Sequence, residues 1–207
     1  MSLAEKITLK LLNKLNPELA HNLVIKALAL KLSPSITSYS APSLNINVSG
    51  LNLENPIGLA AGFDKNAEAI DSLSKLGFGF LEIGGVTPLP QDGNPKPRLF
   101  RLQKDKAIIN RFGFNNKGMK VIRSKLEHSL SKIPVGVNLG ANKDSKNRID
   151  DYSKVLLECG DFVDFATLNI SSPNTSKLRE LQEPDNLKLL LLQLEGVKKK
   201  LKKNIPI

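Results

Sequence analysis

The chain has 207 residues, 41% of them hydrophobic and 24% charged, with a formal net charge of +10. That length supports one good core, and the composition is ordinary for a soluble globular chain. One cysteine, Cys159, excludes an internal disulfide framework and a Cys-rich zinc site, and two histidines, His21 and His128, are too few for a common metal centre; a reducing compartment fits.

Residues 1–33 hold Lys6, Lys10, Lys14, Lys26 and Lys31 against Glu5 and Glu18. Lysines at this spacing exclude a membrane span, and a cleavable signal would need a long apolar core that is missing. Leu3, Ile7, Leu11 and Leu15 recur every four residues and predict a first amphipathic helix. The second begins at "NPEL": Asn16 is a good N-cap, Pro17 suits the first turn and Glu18 complements the helix dipole. Its apolar set, Leu19, Ala20, Leu23, Val24, Ala27, Leu28 and Leu30, is broader than one stripe. Two readings stay open: a helical pair packed on its own domain, or a basic hairpin lying on a membrane surface. Nucleic acid is not an expected partner, because no aromatic-basic interleaving or zinc-finger spacing accompanies the lysines. The terminal "KKKLKKN" reads as the solvated last turn of a helix.

"SYSAPS" (38–43) reads as a linker, and "LNINVSGLNLENP" (44–56) as a small hairpin turning at Ser49-Gly50. Then a βα rhythm begins. "PIGLAAG" (56–62) is a strand followed by a helix near 66–76, and "FGFLEIGGVT" (78–87) is the next strand. A Pro-rich polar connection leads to a helix near 116–131. "PVGVNLGA" (134–141) with a helix over 149–160, and "FVDFATLNI" (162–170) with a helix near 185–203, complete four units; "IPI" starts a fifth strand. Short, nearly continuous apolar strands alternating with helices predict a parallel sheet covered by helices. A dinucleotide-binding sheet would open its first helix on a Gly-rich turn, and "GLAAGFDKN" matches that poorly. A (β/α)8 barrel collects functional residues beyond the C-terminal ends of its strands. Here those ends carry Ala61 to Lys65, then Gly84, Gly85 and Thr87, then Asn138, then Asn169 and its loop. Four units fall short of the roughly 250 residues of a full barrel, so the expected fold class is α/β: the N-terminal half of a (β/α)8 TIM barrel, in a longer protein, preceded by a small amphipathic helical pair.

The last strand runs into "NISSPNT" (169–175), which crowds hydroxyls and amides beside one rigid ring. With "NPIGLAAGFDKNAEAIDSLSKLGFGFLEIGGVTPLPQDGNPKPRLFRL", "INRFGFNN" and "VGVNLGANKD", it resembles, in order and through essentially the whole chain, the quinone-dependent, membrane-associated class of dihydroorotate dehydrogenases. The resemblance implies oxidation of dihydroorotate to orotate in pyrimidine (UMP) synthesis on an FMN-binding barrel, with electrons passed to a quinone. It favours the membrane reading of the helical pair: residues 1–37 as a membrane-associated part on an anionic surface, peripheral on the cytoplasmic side of the inner membrane, and 38–207 as an incomplete FMN-binding barrel.

The resemblance also implies site roles. Ser172 is the base that takes the substrate proton, where the soluble class has cysteine, and Thr175 is a relay for the proton the serine must pass on. Ala61, Gly62, Phe63, Asp64, Lys65, Gly85, Asn138 and Asn169 would hold FMN. Lys65 would meet the substrate carboxylate, Asn110, Asn169 and Asn174 its amide edge, and Arg111, Phe112, Gly113 and Phe114 would cover it. His21 and Arg101 would line a quinone channel; the competing readings are a packing histidine and an arginine paired with a carboxylate. Two departures stand out. Gly85 occupies a position where the family usually has Thr or Ser, and the family's strand-five lysine, later Asn-Thr pair and phosphate-binding turns match nothing up to Ile207. An interaction module that binds no flavin is the alternative, and a basic RNA-binding protein a weaker one; flavin absorbance and salt-dependent RNA binding discriminate them.

Overall fold

The computed structural model describes residues 3–32, 39 and 41–207. The boundary expected between residues 37 and 38, and part of the linker expected over 38–43, lie outside the described residues. Helices α1 (Leu3–Lys14) and α2 (Pro17–Ala29) form the expected pair. The Asn16 side chain caps α2, accepting from the Glu18 and Leu19 amides at 3.0 and 3.2 Å. Strands β1 (Ile46–Val48) and β2 (Leu51–Leu53) pair antiparallel across a turn in which Ser49 and Gly50 both have positive φ, the backbone hand that suits a two-residue hairpin.

The centre is a parallel sheet in the order β3 (Gly58–Leu59), β4 (Phe80–Val86), β7 (Val135–Leu139), β8 (Phe165–Leu168). Helices α3 (Ile70–Leu73), α4 (Met119–Glu127), α5 (Arg148–Cys159) and α6 (Pro184–Lys198) follow the four strands. These are four consecutive βα units of a (β/α)8 barrel. The Ala166 N–H donates to the Pro206 carbonyl at 3.0 Å, so the "IPI" segment lies alongside β8 where a fifth strand is expected.

Register sorts the side chains into two faces. Leu81, Val135, Ile83, Val137 and Ala166 point to the helices and pack with Ile122, Leu126, Tyr152, Val155, Leu156, Leu190 and Leu194. The other face carries Phe80, Glu82, Asn138 and Phe165. Glycines alternate with rings there: a Cβ on Gly58 would lie 2.1 Å from the Phe80 ring, and one on Gly136 2.2 Å from the Phe165 ring. The two rings meet edge to face with centroids 5.9 Å apart.

Two elements differ from expectation. The first barrel helix shrinks from 66–76 to Ile70–Leu73. Ala67 has a positive φ, and the Asp64 carboxylate takes the Glu68 and Ala69 amides that an earlier helical turn would use. The Pro-rich connection contains an antiparallel hairpin, β5 (Leu99–Leu102) with β6 (Ala107–Asn110). α2 packs on β5 and α3, and its Ile25 and Leu28 join the main core. α1 and the outer side of α2 leave Ile7, Leu11, Leu19, Leu23 and Leu30 exposed beside the lysines. Among the described residues no helix is long and apolar enough to cross a membrane.

Candidate functional site at the strand ends

The C-terminal ends of the four strands are tied to one another by short polar contacts. The Gly62 N–H donates to the Gly84 carbonyl at 2.8 Å, and the Gly84 N–H to the Asp64 carbonyl at 3.2 Å. Gly62 has φ near +101°, and a Cβ there would meet no atom within 4 Å, so this turn borders open space. Gly85 is different. A Cβ on it would lie 2.8 Å from Cδ1 of Phe114 and 3.2 Å from Oδ1 of Asn138. The Phe114 ring thus occupies the space that a side chain at position 85 would take.

A chain of side chains crosses three strands. Asn138 Nδ2 donates to Glu82 Oε1 at 2.8 Å, and Asn169 Nδ2 donates to Asn138 Oδ1 at 2.9 Å. The Tyr152 hydroxyl holds the Asn169 carbonyl at 2.7 Å. Asn169 is therefore fixed at both ends, yet its Oδ1 is buried without a hydrogen-bond partner among the described residues. An unsatisfied buried acceptor is costly, and its natural complement is a donor on a ligand. Glu82 was missed from sequence; the signal was a carboxylate inside the apolar run "FLEIGGV".

Lys65 follows the first strand end. Its Nζ donates to the Gly62 carbonyl at 2.6 Å and lies 4.3 Å from the Phe112 ring centroid. Burial, more than the nearby Arg98 charge, lowers its pKa to about 8, while Glu18 and Asp64 pull the other way. Asp64 itself is buried, and its carboxylate closes the turn through the Glu68 amide at 2.8 Å and the Ala69 amide at 2.7 Å. Burial raises its pKa against those amides. Its side chain is thus committed to the protein, and only its backbone borders the Gly62 turn.

The segment 110–114 begins at Asn110, exposed at the end of β6. Arg111 donates to the Pro97 carbonyl at 2.9 and 3.1 Å. Gly113 and Phe114 both have positive φ, and Gln91 and Asn116 hold the Phe114 carbonyl at 3.1 and 2.8 Å. In the loop after β8, Thr175 is buried and Ser172 half-buried. The Asn174 N–H donates to Ser172 Oγ at 3.3 Å, and the Ser171 carbonyl accepts from Arg179 Nε at 3.1 Å. The two loops meet through Asn94, whose Nδ2 donates to the Arg111 carbonyl at 2.9 Å and to the Asn174 carbonyl at 3.1 Å.

His21 reaches this region from α2. Its Nε2 donates to the Phe63 carbonyl at 2.8 Å, and its ring stands edge-on to Phe63 at 5.3 Å. Burial, then the Lys65 charge, lowers its pKa and favours the neutral ring. Arg101 lies on β5. Its guanidinium donates to the carbonyls of Leu15 at 2.8 Å and of Leu12 and Asn13 at 3.3 Å. It caps the C-terminal end of α1, and among the described residues it pairs with no carboxylate.

A family model described as dihydroorotate dehydrogenase matches residues 43–206. A dihydroorotate dehydrogenase (quinone) of Cereibacter sphaeroides is 52% identical over 198 residues, 95% of this chain and 55% of the relative. One from Bartonella tribocorum is 50% identical over 197 residues, 93% of this chain and 54% of the relative. A crystal structure of DHODH from Eimeria tenella in complex with ferulenol superposes with a TM-score of 0.85 at 44% identity, over 89% of this chain and 51% of that one. The chain spans about half the length of the curated relatives it matches.

Proposed function

Because the chain belongs to the dihydroorotate dehydrogenase family, we propose that the protein oxidises dihydroorotate to orotate in de novo pyrimidine (UMP) synthesis, with FMN as cofactor and a membrane quinone as electron acceptor. The observation that carries this reading is the Glu82–Asn138–Asn169 chain, which ends in a buried Asn169 Oδ1 with no partner among the described residues. The donor edge of a flavin ring satisfies such an acceptor. The open space at Gly62 suits the close approach of a flat ring to backbone. Ala61, Gly62, Phe63, Lys65, Gly85, Asn138 and Asn169 would hold that ring, with Asp64 bracing the turn beneath it. FMN, when bound, supplies a two-electron acceptor for hydride.

The chain's own residues do the rest. Lys65 binds the substrate carboxylate, which stabilises the charged amine against its burial. Asn110, Asn169 and Asn174 match the amide edge of the planar ring, and Arg111, Phe112, Gly113 and Phe114 cover it and exclude water. Ser172 Oγ takes the proton from a substrate ring carbon. A serine hydroxyl is a weak base, so it hands on its own proton, with Thr175 as the relay. The Asn174 N–H that donates to Oγ steadies the oxygen as negative charge grows there.

His21 and Arg101 serve the quinone side, His21 through its contact with Phe63 and Arg101 by holding the end of α1. The protein has two parts, a helical pair over 1–37 and barrel units over 38–207. The exposed leucines and the lysines of the pair support a peripheral seat on an anionic membrane, on the cytoplasmic side of the inner membrane. The test is flavin absorbance in the purified full-length protein and its anaerobic bleaching by dihydroorotate. A protein without flavin that dihydroorotate leaves unchanged would point to an interaction module instead.

A further inference from the structure

The segment "QDGNPKPR" (91–98) stands between the helical pair and both loops of the site. Arg98, buried, sends Nε and Nη2 to the Glu18 carboxylate of α2, at 3.2 Å from Nε to each oxygen and 2.7 Å from Nη2 to Oε1. Its other nitrogen, Nη1, donates to the Asp92 carbonyl and, at 3.0 Å, to the Asn94 carbonyl. The guanidinium also faces the Phe112 ring at 5.4 Å, the same ring that Lys65 faces. Asn94 is held from one side by Arg98 and grips the site from the other. Its N–H donates to the Phe112 carbonyl at 2.9 Å, and its Nδ2 bridges the Arg111 and Asn174 carbonyls. Glycines make this approach possible: a Cβ on Gly93 would lie 2.2 Å from the Phe112 oxygen, and one on Gly113 2.9 Å from Asn94 Nδ2.

We propose that Glu18, Arg98 and Asn94 form a brace of positioning residues through which the seating of α2 sets the placement of the Ser172 loop and of the segment covering the substrate. None of the three is assigned contact with substrate, and each acts through another residue. Glu18 orients Arg98, Arg98 fixes the Asn94 backbone, and Asn94 ties residues 111–112 to residue 174. A fork that satisfies one carboxylate and two carbonyls has little freedom to slide. Loss of one member therefore moves the loops and not only the helix. The consequence is that docking of the helical pair supports the reaction with dihydroorotate as well as any exchange with quinone.

The brace rests on the proposed function for its catalytic consequence, and two readouts separate them. In the flavin-loaded full-length protein, anaerobic stopped-flow follows flavin reduction by dihydroorotate, which needs neither membrane nor quinone. Amide hydrogen exchange of residues 169–176 reports the loop without any catalysis. Asn94→Ala and Glu18→Ala are each expected to slow reduction at least about tenfold at unchanged flavin content, and to speed exchange in 169–176 while α5 stays protected. The double variant is expected to be about as slow as the slower single one, because both break one device. Lys96→Ala, which removes a mostly exposed charge 3.6 Å from Glu18, is expected to change neither readout. Asn94→Ser and Glu18→Gln serve where the alanine variants fold poorly. Unchanged exchange in 169–176, or rate effects that multiply in the double variant, would overturn the brace. If dihydroorotate does not reduce the unmodified protein, the function is wrong, and the exchange arm still judges the brace.

Discussion

At the scale of single residues, the proposed function rests on Lys65 and Ser172. Burial leaves the Lys65 amine with a pKa of about 8. The charged form therefore prevails below pH 8 and is lost above it, and a bound carboxylate shifts the balance back toward charge. Orotate affinity is expected to be constant below pH 8 and to fall above it by up to about tenfold per pH unit. Calorimetric titration of orotate across pH 7–10 checks this. Lys65→Ala should bind more weakly throughout and show no such slope. Ser172→Ala should keep flavin and nearly full orotate affinity while flavin reduction slows by roughly 10²–10⁴-fold, the usual worth of a positioned general base. Ser172→Cys should keep part of the activity, with its optimum moved toward the range where a thiol of pKa about 8.5 ionises. Ser171→Ala should matter far less, since the described bond at Ser171 is to its backbone carbonyl. Bleaching of Ser172→Ala at the unmodified rate would remove the serine from its role.

At the scale of elements, α1 depends on its neighbour. Its apolar side chains are largely exposed, with Leu11 at 59%, so its own burial contributes little. Arg101 of the β5–β6 hairpin holds three carbonyls at its C-terminal end. Arg101→Ala is expected to destabilise the last turn of α1 by about 1 kcal/mol. Hydrogen exchange in residues 9–15 would rise, while exchange in α4 would not. The hairpin was missed in the sequence for a physical reason. All four residues of β6 are exposed, so no buried face imposes a period of two. The short α3 has a different cause: a local turn, closed by the Asp64 carboxylate on the Glu68 and Ala69 amides, overrides a helical pattern that continues to residue 76.

At the scale of the whole molecule, the helical pair is both docked and exposed. Ile25 and Leu28 join the barrel core, while Leu19, Leu23 and Leu30 stay outside. Removing residues 1–34 from the full-length protein is therefore expected to release it from membranes and abolish quinone turnover. Flavin should be retained, because no residue assigned to it lies before Ala61. Sedimentation with anionic vesicles and flavin absorbance test both halves of this statement, and full turnover of a membrane quinone by the truncated protein would refute the assignment of the pair. At the other end, α6 leaves Leu189, Leu191 and Leu192 exposed.

The sequence alone determined whatever depends on neighbours along the chain. The Asn16 cap, the Ser49-Gly50 turn, the four βα units and the placement of Asn138 and Asn169 at strand ends all follow from local propensity and periodicity. Tertiary structure decided which polar groups are spoken for. Arg101 turns out to hold the backbone at the end of α1, while Asn169 is left with a free acceptor among the described residues. The Glu18–Arg98 pair joins residues 80 positions apart. Nothing in a Pro-rich stretch announces such a partner, because the energy of a fork and its carboxylate depends on a distance that only the folded chain creates.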